Sequence, residues 1–154
     1  MKTADIMTPA VVTDRSDDTL AEAARKMWEQ QTGSLLIVDG DDLRGIITER
    51  DILRAVAAGV DLKGTRVSDK MTRDLITVDP QTSLRDAARI MADRWIRHLP
   101  VLESGRVVGV LSQRDLAGVL AGALNEPDAL EQLVGASELV RERRLRRIEH
   151  GTWD

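Results

Sequence analysis

A hydroxyl residue and an aspartate stand three positions apart at two places in the chain, each time after a short apolar run. Thr48 precedes Asp51, and Ser112 precedes Asp115. The carboxylate in such a phrase can accept two hydrogen bonds from the cis-diol of a ribose, while the hydroxyl binds ribose or phosphate. The same spacing is also a capping box, which closes the N-terminus of a helix without any ligand. The residues by themselves leave both interpretations open.

Basic residues lie inside both phrases. Arg50 and Arg114 each come directly before the aspartate. If each phrase begins a helix after a strand, the free amides and the dipole of that helix also favour phosphate. The sequence is therefore compatible with nucleoside or phosphate binding at two strand-to-helix junctions.

The two phrases belong to an internal repeat with an offset of 64 residues. Residues 5 to 52 align with residues 69 to 116 without a gap, and most pairs that differ exchange similar residues. The identical pairs are Asp5/Asp69, Met7/Met71, Thr8/Thr72, Thr13/Thr77, Leu20/Leu84, Ala23/Ala87, Ala24/Ala88, Arg25/Arg89, Met27/Met91, Leu35/Leu99, Gly45/Gly109, Arg50/Arg114 and Asp51/Asp115. Two copies of this length predict a pseudo-two-fold pair rather than an array of short repeats.

Hydrophobic periodicity predicts the element order β-α-β-β-α in each copy. The first copy has strands at 11–13, 34–38 and 43–48, with helices from a Thr19 cap to about Gln31 and from about Thr48 to Gly59. The second has strands at 75–78, 98–102 and 107–111, with helices at 83–93 and from 112 toward 123. In the first copy the core-facing helix residues are predicted to be Leu20, Ala23, Ala24, Met27, Ile52, Leu53 and Val56.

The predicted fold class is α/β, with two β-α-β-β-α repeats packed with pseudo-two-fold symmetry around a shared core. The expected bounds are 1–62 and 63–124 for the repeats and 125–154 for a helical tail, with residues 59–66 as linker. The tail contains five arginines between Arg141 and Arg147, but glutamates alternate with them. A solvated or dimer-contacting helix is therefore favoured over a nucleic-acid arm.

Composition narrows the function further. The formal charge of −4 gives no general attraction to nucleic acid or to an anionic membrane. Cysteine is absent, which excludes disulfides, thiolate metal sites and cysteine nucleophiles. The start lacks a signal-peptide pattern, and no apolar run reaches the ~18 residues of a membrane span, so a cytoplasmic protein without membrane contact is expected. The acidic segment 39–42 is read as a hairpin turn rather than a calcium site.

Several motifs, in the same order in both copies, together resemble the CBS-domain family, named for cystathionine β-synthase. They are Asp5-Ile6-Met7-Thr8, Asp69-Lys70-Met71-Thr72, the two Leu-x-x-Ala-Ala-x-x-Met helices, Arg97-His98-Leu99-Pro100-Val101 and the two Gly-x-x-Ser/Thr-x-x-Asp phrases. The resemblance covers about residues 1 to 124. It implies a tandem pair that forms a pseudo-two-fold disc, with a central cleft for adenosine-containing ligands such as AMP, ADP, ATP or S-adenosylmethionine.

The resemblance also implies roles for individual residues. The implied site consists of the ribose ligands Asp51 and Asp115, the adjacent hydroxyls Thr48 and Ser112, the phosphate contacts Arg97, His98, Arg50 and Arg114, and the base-lining residues Val12 and Ile76. The first copy has Gly33-Ser34 where the second has Arg97-His98, and Leu36 where the second has Pro100. Ser34 is the candidate contact there, and the two sites are expected to be unequal.

The first functional hypothesis is a stand-alone regulatory module, not an enzyme, that binds an adenosyl ligand and signals by a change of shape or of partner association. It would need no cofactor or metal and would form a homodimer, with the regulated protein on another chain. The second hypothesis is a ligand-free scaffold for dimerisation or protein binding, in which both phrases are only helix caps. Catalysis by His98 has little support, because no nucleophile or acid is paired with it.

Overall fold

The computed structural model describes residues 1–9 and 13–123. Its helices are α1 (Leu20–Glu29), α2 (Glu49–Ala57), α3 (Leu84–Arg94) and α4 (Gln113–Ala123). Its strands are β1 (Thr13–Asp14), β2 (Ser34–Asp39), β3 (Asp42–Thr48), β4 (His98–Glu103) and β5 (Arg106–Ser112). Short 3₁₀ segments span Thr3–Asp5 and Val67–Asp69. The chain is thus a mixed α/β protein built from two repeats of strands and helices. The predicted tail and the site candidate Val12 lie outside the described residues.

Helix α1 begins with the capping box that the sequence predicts. The Thr19 hydroxyl accepts a hydrogen bond from the N–H of Glu22 at 3.2 Å, and the Glu22 carboxylate accepts one from the N–H of Thr19 at 2.8 Å. The helix ends two residues before the predicted Gln31, because Gln31 takes a left-handed conformation with φ of 51°. The residues buried on its inner face are Leu20, Ala23 and Met27.

Helix α2 corrects the prediction that Leu53 and Val56 face the core. Both are exposed, at 68% and 54% of their full accessible area. Ala55 is buried instead, and Ile52 packs against the core from its edge. Each exposed residue follows one of these inward residues by one position, which is a rotation of about 100° around the helix. The apolar face of α2 is therefore wider than its packed face.

Two antiparallel hairpins dominate the sheets. β2 pairs with β3 and β4 pairs with β5, while β1 adds a short parallel edge to β2. Both hairpins have an irregularity at the same repeat position, between Ile37 and Val38 and between Val101 and Leu102. The turn between β2 and β3 confirms the hairpin predicted for residues 39–42, and Gly40 provides its positive φ of 65°.

The strand predicted at 75–78 is reduced to a single bridge. The N–H of Val78 donates to the carbonyl of Pro100 at 3.0 Å, and the carbonyl of Val78 accepts from the N–H of Leu102 at 2.9 Å. Pro80, two residues later, has no N–H with which to continue the ladder. The sequence correctly predicted that this segment pairs with a strand, but only Val78 pairs with β4.

The two repeats exchange their N-terminal segments. Thr8 and Val110 form two mutual backbone hydrogen bonds, at 2.9 and 3.1 Å. Thr72 and Ile46 form the equivalent pair, at 2.9 and 3.0 Å. The N-terminal segment of the first repeat is thus bonded to β5 of the second, and the N-terminal segment of the second repeat is bonded to β3 of the first.

This exchange explains why the identical glycines Gly45 and Gly109 carry no side chain. A Cβ atom at Gly45 would lie 2.7 Å from the Thr72 carbonyl oxygen and 2.7 Å from the sulfur of Met71. A Cβ atom at Gly109 would lie 2.9 Å from the Thr8 carbonyl oxygen and 2.7 Å from the sulfur of Met7. The exchanged backbone therefore approaches each strand too closely for any larger residue.

The described residues form two hydrophobic clusters instead of the single core expected from the sequence. The first combines α1, β2 and β3 with Val67 and Met71, which come from the start of the second repeat. The second combines α3, β4 and β5 with Ile6 and Met7, which come from the chain's start. Each repeat thus completes the other's core, although the cores themselves are separate.

Candidate functional site

Both repeated phrases form capping boxes where a strand feeds a helix. The Oδ2 atom of Asp51 accepts hydrogen bonds from the N–H and the hydroxyl of Thr48, both at 2.8 Å. The Oδ2 atom of Asp115 accepts the same two bonds from Ser112, both at 2.7 Å. The capping interpretation is therefore correct at both junctions. The Oδ1 atom of each aspartate takes part in neither bond, so capping and ligand binding do not compete for it.

A cleft of about 1270 Å³ lies between the two repeats. It contains six of the site residues expected from the sequence: Ser34, Arg97, His98, Ser112, Arg114 and Asp115. Its apolar lining includes Ala24, Met27, Trp28, Leu36, Ile52 and Val110. Thr8 of the exchanged segment also lines it, as does Glu49 at the start of α2.

The remaining expected residues do not line this cleft. Thr48 and Asp51 are half-buried at the start of α2, and Arg50 is exposed beside them. Ile76 packs against the hydrophobic cluster of the second repeat. The structure thus brings together the second repeat's phrase and its basic pair, but not the first repeat's phrase.

An ion pair joins the two repeats across the cleft. The Nη2 atom of Arg97 lies 2.9 Å from the Oε1 atom of Glu49. Arg97 comes directly before β4 of the second repeat, and Glu49 begins α2 of the first. The phosphate contact expected at Arg97 therefore has an acidic partner that sequence reasoning did not identify.

His98 is held in its neutral form at pH 7. Burial lowers the pKa of His98, and the positive charge of Arg97 lowers it further. Glu49 and Asp115 act in the opposite direction but do not overcome burial. At neutral pH, His98 can therefore offer a hydrogen bond to a ligand, but it does not add a positive charge to the cleft.

Asp14 is a buried carboxyl group that sequence reasoning missed. Its side chain forms an ion pair with Lys26, whose Nζ atom lies 2.8 Å from Asp14 Oδ1. Burial, followed by a hydrogen bond with Asp18, raises the pKa of Asp14 to about 6. When Asp14 is ionised, its Oδ2 atom is buried without a hydrogen-bond partner in the described part of the chain. The repeat offset could have revealed it, because the aligned residue is the buried Val78.

Two other site classes have no candidate in the described ranges. No group of three or more His, Asp or Glu side chains in residues 1–9 and 13–123 could hold a metal ion. Within the same ranges, no helix has both the length and the apolar character needed to cross a lipid bilayer.

Comparison with known proteins agrees with the repeat and the fold. The CBS domain profile matches twice, at residues 4–58 and 67–122. The CBS domain-containing protein YhcV of Bacillus subtilis is 39% identical over 114 residues, which is 73% of this chain and 81% of that protein. The structure of a CBS-domain protein from Burkholderia ambifaria superposes with a TM-score of 0.75 at 35% identity, covering 78% of this chain and 93% of that one.

A further structural neighbour carries ligands. The CBS domain pair of protein MJ0100, in complex with 5′-methylthioadenosine and S-adenosyl-L-methionine, superposes with a TM-score of 0.74 at 29% identity. The alignment covers 80% of this chain and 98% of that chain. Since the family profile matches both repeats and accounts for more than half of the sequence, the chain belongs to the CBS-domain family and carries the domain twice in tandem.

Proposed function

We propose that the chain is a regulatory module that binds an adenosyl ligand in the cleft between its repeats. The observation that supports this most strongly is the grouping of Ser112, Asp115, Arg97 and His98 around one cleft that both repeats line. The complex of the MJ0100 domain pair with two adenosyl compounds supports the same ligand class. The proposed activity is binding, not catalysis.

Each group in the cleft has a role in this proposal. Asp115 accepts the ribose hydroxyls through Oδ1, while Oδ2 remains in the helix cap. Ser112 and the N-terminus of α4 orient the ribose. Arg97, His98 and Arg114 face the 5′ substituent. The aliphatic side chains of Leu36, Ile52 and Val110 provide the apolar walls for the purine, since the chain has no Phe or Tyr.

The signal in this proposal is a shift between two arrangements of the repeats. A ligand that contacts both repeats favours the arrangement in which its contacts are complete, and one with equal affinity for both arrangements shifts neither. The first repeat's phrase, with Thr48, Arg50 and Asp51, would form a second and weaker site. It lacks the basic pair, because Gly33 and Ser34 replace Arg97 and His98.

The test is calorimetric titration with AMP, ATP, S-adenosylmethionine and 5′-methylthioadenosine. For Asp115→Asn we expect binding to weaken roughly ten- to a hundredfold, because a charge-assisted hydrogen bond is worth about 1.5 to 3 kcal/mol. Asp86→Asn is the matched control. At the start of α3, Asp86 accepts a hydrogen bond from the hydroxyl of Ser83 at 2.7 Å and its N–H donates to that hydroxyl at 3.1 Å, as Asp115 does with Ser112, but Asp86 lies outside the cleft.

The two variants separate binding from stability. Asp86→Asn should lower the unfolding temperature without weakening the binding of any ligand. If Asp115→Asn binds as tightly as the unchanged chain, or if Asp51→Asn alone abolishes the tighter binding event, the assignment of the ribose to this cleft is wrong.

A ligand-free scaffold is the second candidate, and one observation favours it. Four large apolar side chains on the helices are exposed: Trp28 at 84%, Leu53 at 68%, Val56 at 54% and Leu120 at 47%. Leu53 and Val56 are three positions apart on α2 and therefore adjacent on its surface, and contiguous exposed apolar residues commonly mark protein interaction surfaces. A homodimer built on these helices is compatible with either candidate, and flat titrations with every adenosyl compound would leave the scaffold as the function.

A further inference from the structure

The chemistry around the pseudo-two-fold axis differs between the two repeats. Residues 33 and 49 are neighbours in the first repeat, because the N–H of Glu49 donates to the carbonyl of Gly33 at 3.0 Å. The equivalent residues in the second repeat are joined in the same way, from Gln113 to Arg97 at 3.0 Å. The four positions therefore carry Gly33 and Glu49 on one side and Arg97 and Gln113 on the other. Across the repeats, position 49 faces position 97, and these residues, Glu49 and Arg97, form an ion pair. The symmetry-equivalent positions carry Gln113 and Gly33, which cannot form one.

The carboxylate of Glu49 lies beside Gly33. A Cβ atom at Gly33 would lie 3.5 to 3.6 Å from the carboxylate atoms of Glu49. The carboxylate thus packs over the backbone of the first repeat while it reaches Arg97 of the second. The contact is local to the cleft, which both residues line.

This pair changes the charge that a ligand would meet. The acids that line the cleft are Glu29, Glu49 and Asp115, and the arginines are Arg97 and Arg114. His98 is neutral at pH 7. Three acids against two arginines give the lining no excess of positive charge, and one of the arginines, Arg97, is already paired with Glu49. A ligand with several negative charges would have to displace the carboxylate, whereas a neutral or cationic ligand would not.

We propose that Glu49 is a specificity-determining residue, which withholds Arg97 from phosphate and makes the cleft select adenosyl ligands whose 5′ substituent is neutral or cationic, such as a thioether or a sulfonium. This inference rests on the proposed function, because it names the ligand class of the same cleft. Phosphate-bearing nucleotides are the ligands that Glu49 disfavours.

The experiment compares ATP with 5′-methylthioadenosine by calorimetric titration. In Glu49→Gln, ATP should bind about fivefold more tightly, since a half-exposed charge pair is worth at most about 1 kcal/mol. Binding of 5′-methylthioadenosine should change less than about twofold. Glu103→Gln is the matched control, because Glu103 is an exposed acid at the end of β4 that does not line the cleft.

A double-mutant cycle shows whether Glu49 acts through Arg97. In the Arg97→Gln background, Glu49→Gln should no longer improve ATP binding, since the cation that it releases is absent. The gain in the single variant should also shrink as salt is raised, because the contact is partly exposed to solvent. A merely structural role for Glu49 would alter both ligands equally and would persist without Arg97.

The outcomes separate this inference from the proposed function. If 5′-methylthioadenosine binds and Asp115→Asn weakens it, but Glu49→Gln leaves the ratio of the two affinities unchanged, the role of Glu49 is overturned and the adenosyl site stands. If the unchanged chain prefers ATP, the role of Glu49 is likewise overturned. If no adenosyl compound binds to the unchanged chain or to Glu49→Gln, both proposals fail.

Discussion

Asp14 shows how one residue can break the symmetry of a repeat. Its counterpart Val78 is buried among apolar side chains, and Asp14 is buried to the same degree, with 3% of its area exposed. Burying a carboxylate disfavours its charged form unless partners compensate, and Lys26 compensates only in part. The interaction with Asp14 in turn lowers the pKa of Asp18. The first repeat therefore has an unfavourable desolvation free energy at position 14, which the second repeat avoids with Val78.

The raised pKa of Asp14 gives a stability prediction. Its pKa of about 6 in the folded chain lies well above the ordinary aspartate value of 3.8. The folded state thus binds a proton more tightly, and this contribution to stability is complete below about pH 4 and is lost as pH rises through about 6. Asp14→Asn should remove this decline. At pH 7 to 8 it should raise the free energy of unfolding by up to about 3 kcal/mol. Loss of the ion pair with Lys26 reduces this gain.

Urea unfolding between pH 4 and pH 8 measures this effect. Asp41→Asn, in the exposed turn between β2 and β3, is a control that should leave the pH dependence unchanged. A decline with pH that is equally steep in Asp14→Asn would show that another group causes it. A loss of stability at pH 8 would show that the Lys26 ion pair outweighs the burial of the charge.

At the scale of elements, the short N-terminal segments of the two repeats contribute to packing alongside the regular helices. Met7 and Met71 insert against the glycines of the opposite repeat, and the flanking backbone adds a bridge to β5 or β3. These contacts join residues that are about a hundred positions apart in one case and fewer than thirty in the other. The glycine of each phrase is thus a packing requirement, while its aspartate is a helix cap and a candidate ligand.

Glycine-to-alanine substitutions test the exchange. Gly45→Ala and Gly109→Ala should each destabilise the fold by about 1 to 3 kcal/mol, because the new methyl group would overlap a backbone carbonyl that cannot move freely. Gly118→Ala is the matched control in α4, where no atom lies within 4 Å of the added Cβ. It should stabilise the helix by up to about 1 kcal/mol. Chemical unfolding measures all three, and equal tolerance at positions 45 and 118 would contradict the close approach.

At the scale of the whole molecule, the exposed faces and the cleft belong to the same helices. α1 and α2 supply Trp28 and Ile52 to the cleft, and α2 also exposes Leu53 and Val56. In the proposed homodimer, a second copy of the chain covers Leu53 and Val56. A change of repeat arrangement on ligand binding would then reach the dimer interface directly, since one helix contributes to both.

The dimer can be tested by sedimentation equilibrium. Leu53→Ser combined with Val56→Ser should raise the dimer dissociation constant about a hundredfold or more, since each buried Leu or Val contributes about 1.5 to 3 kcal/mol. Arg54→Ser, an exposed polar change on the same helix, should leave it within a fewfold. A monomeric unchanged chain, or an equally strong dimer in the double variant, would contradict this use of the apolar face.

The sequence by itself determined the features that depend on local chemistry. The 64-residue offset predicted two copies, the Ser/Thr-x-x-acid spacing predicted caps that form, and the hairpins lie where the alternating apolar runs and the glycine turn indicate. These features follow from contacts between residues close in the chain. The family match confirms the recognition of a tandem CBS pair from the repeated motifs.

Only the tertiary structure decided which residues meet across the repeats. It placed Thr8 beside Val110, paired Glu49 with Arg97, buried Asp14 and exposed Leu53 and Val56. It also grouped the second phrase, but not the first, with the basic pair in the described cleft. The pattern of one helix shows how wide its apolar face is but not how much of it a neighbour covers. Long-range packing settles that, because it depends on the whole chain's shape and not on spacing within a segment.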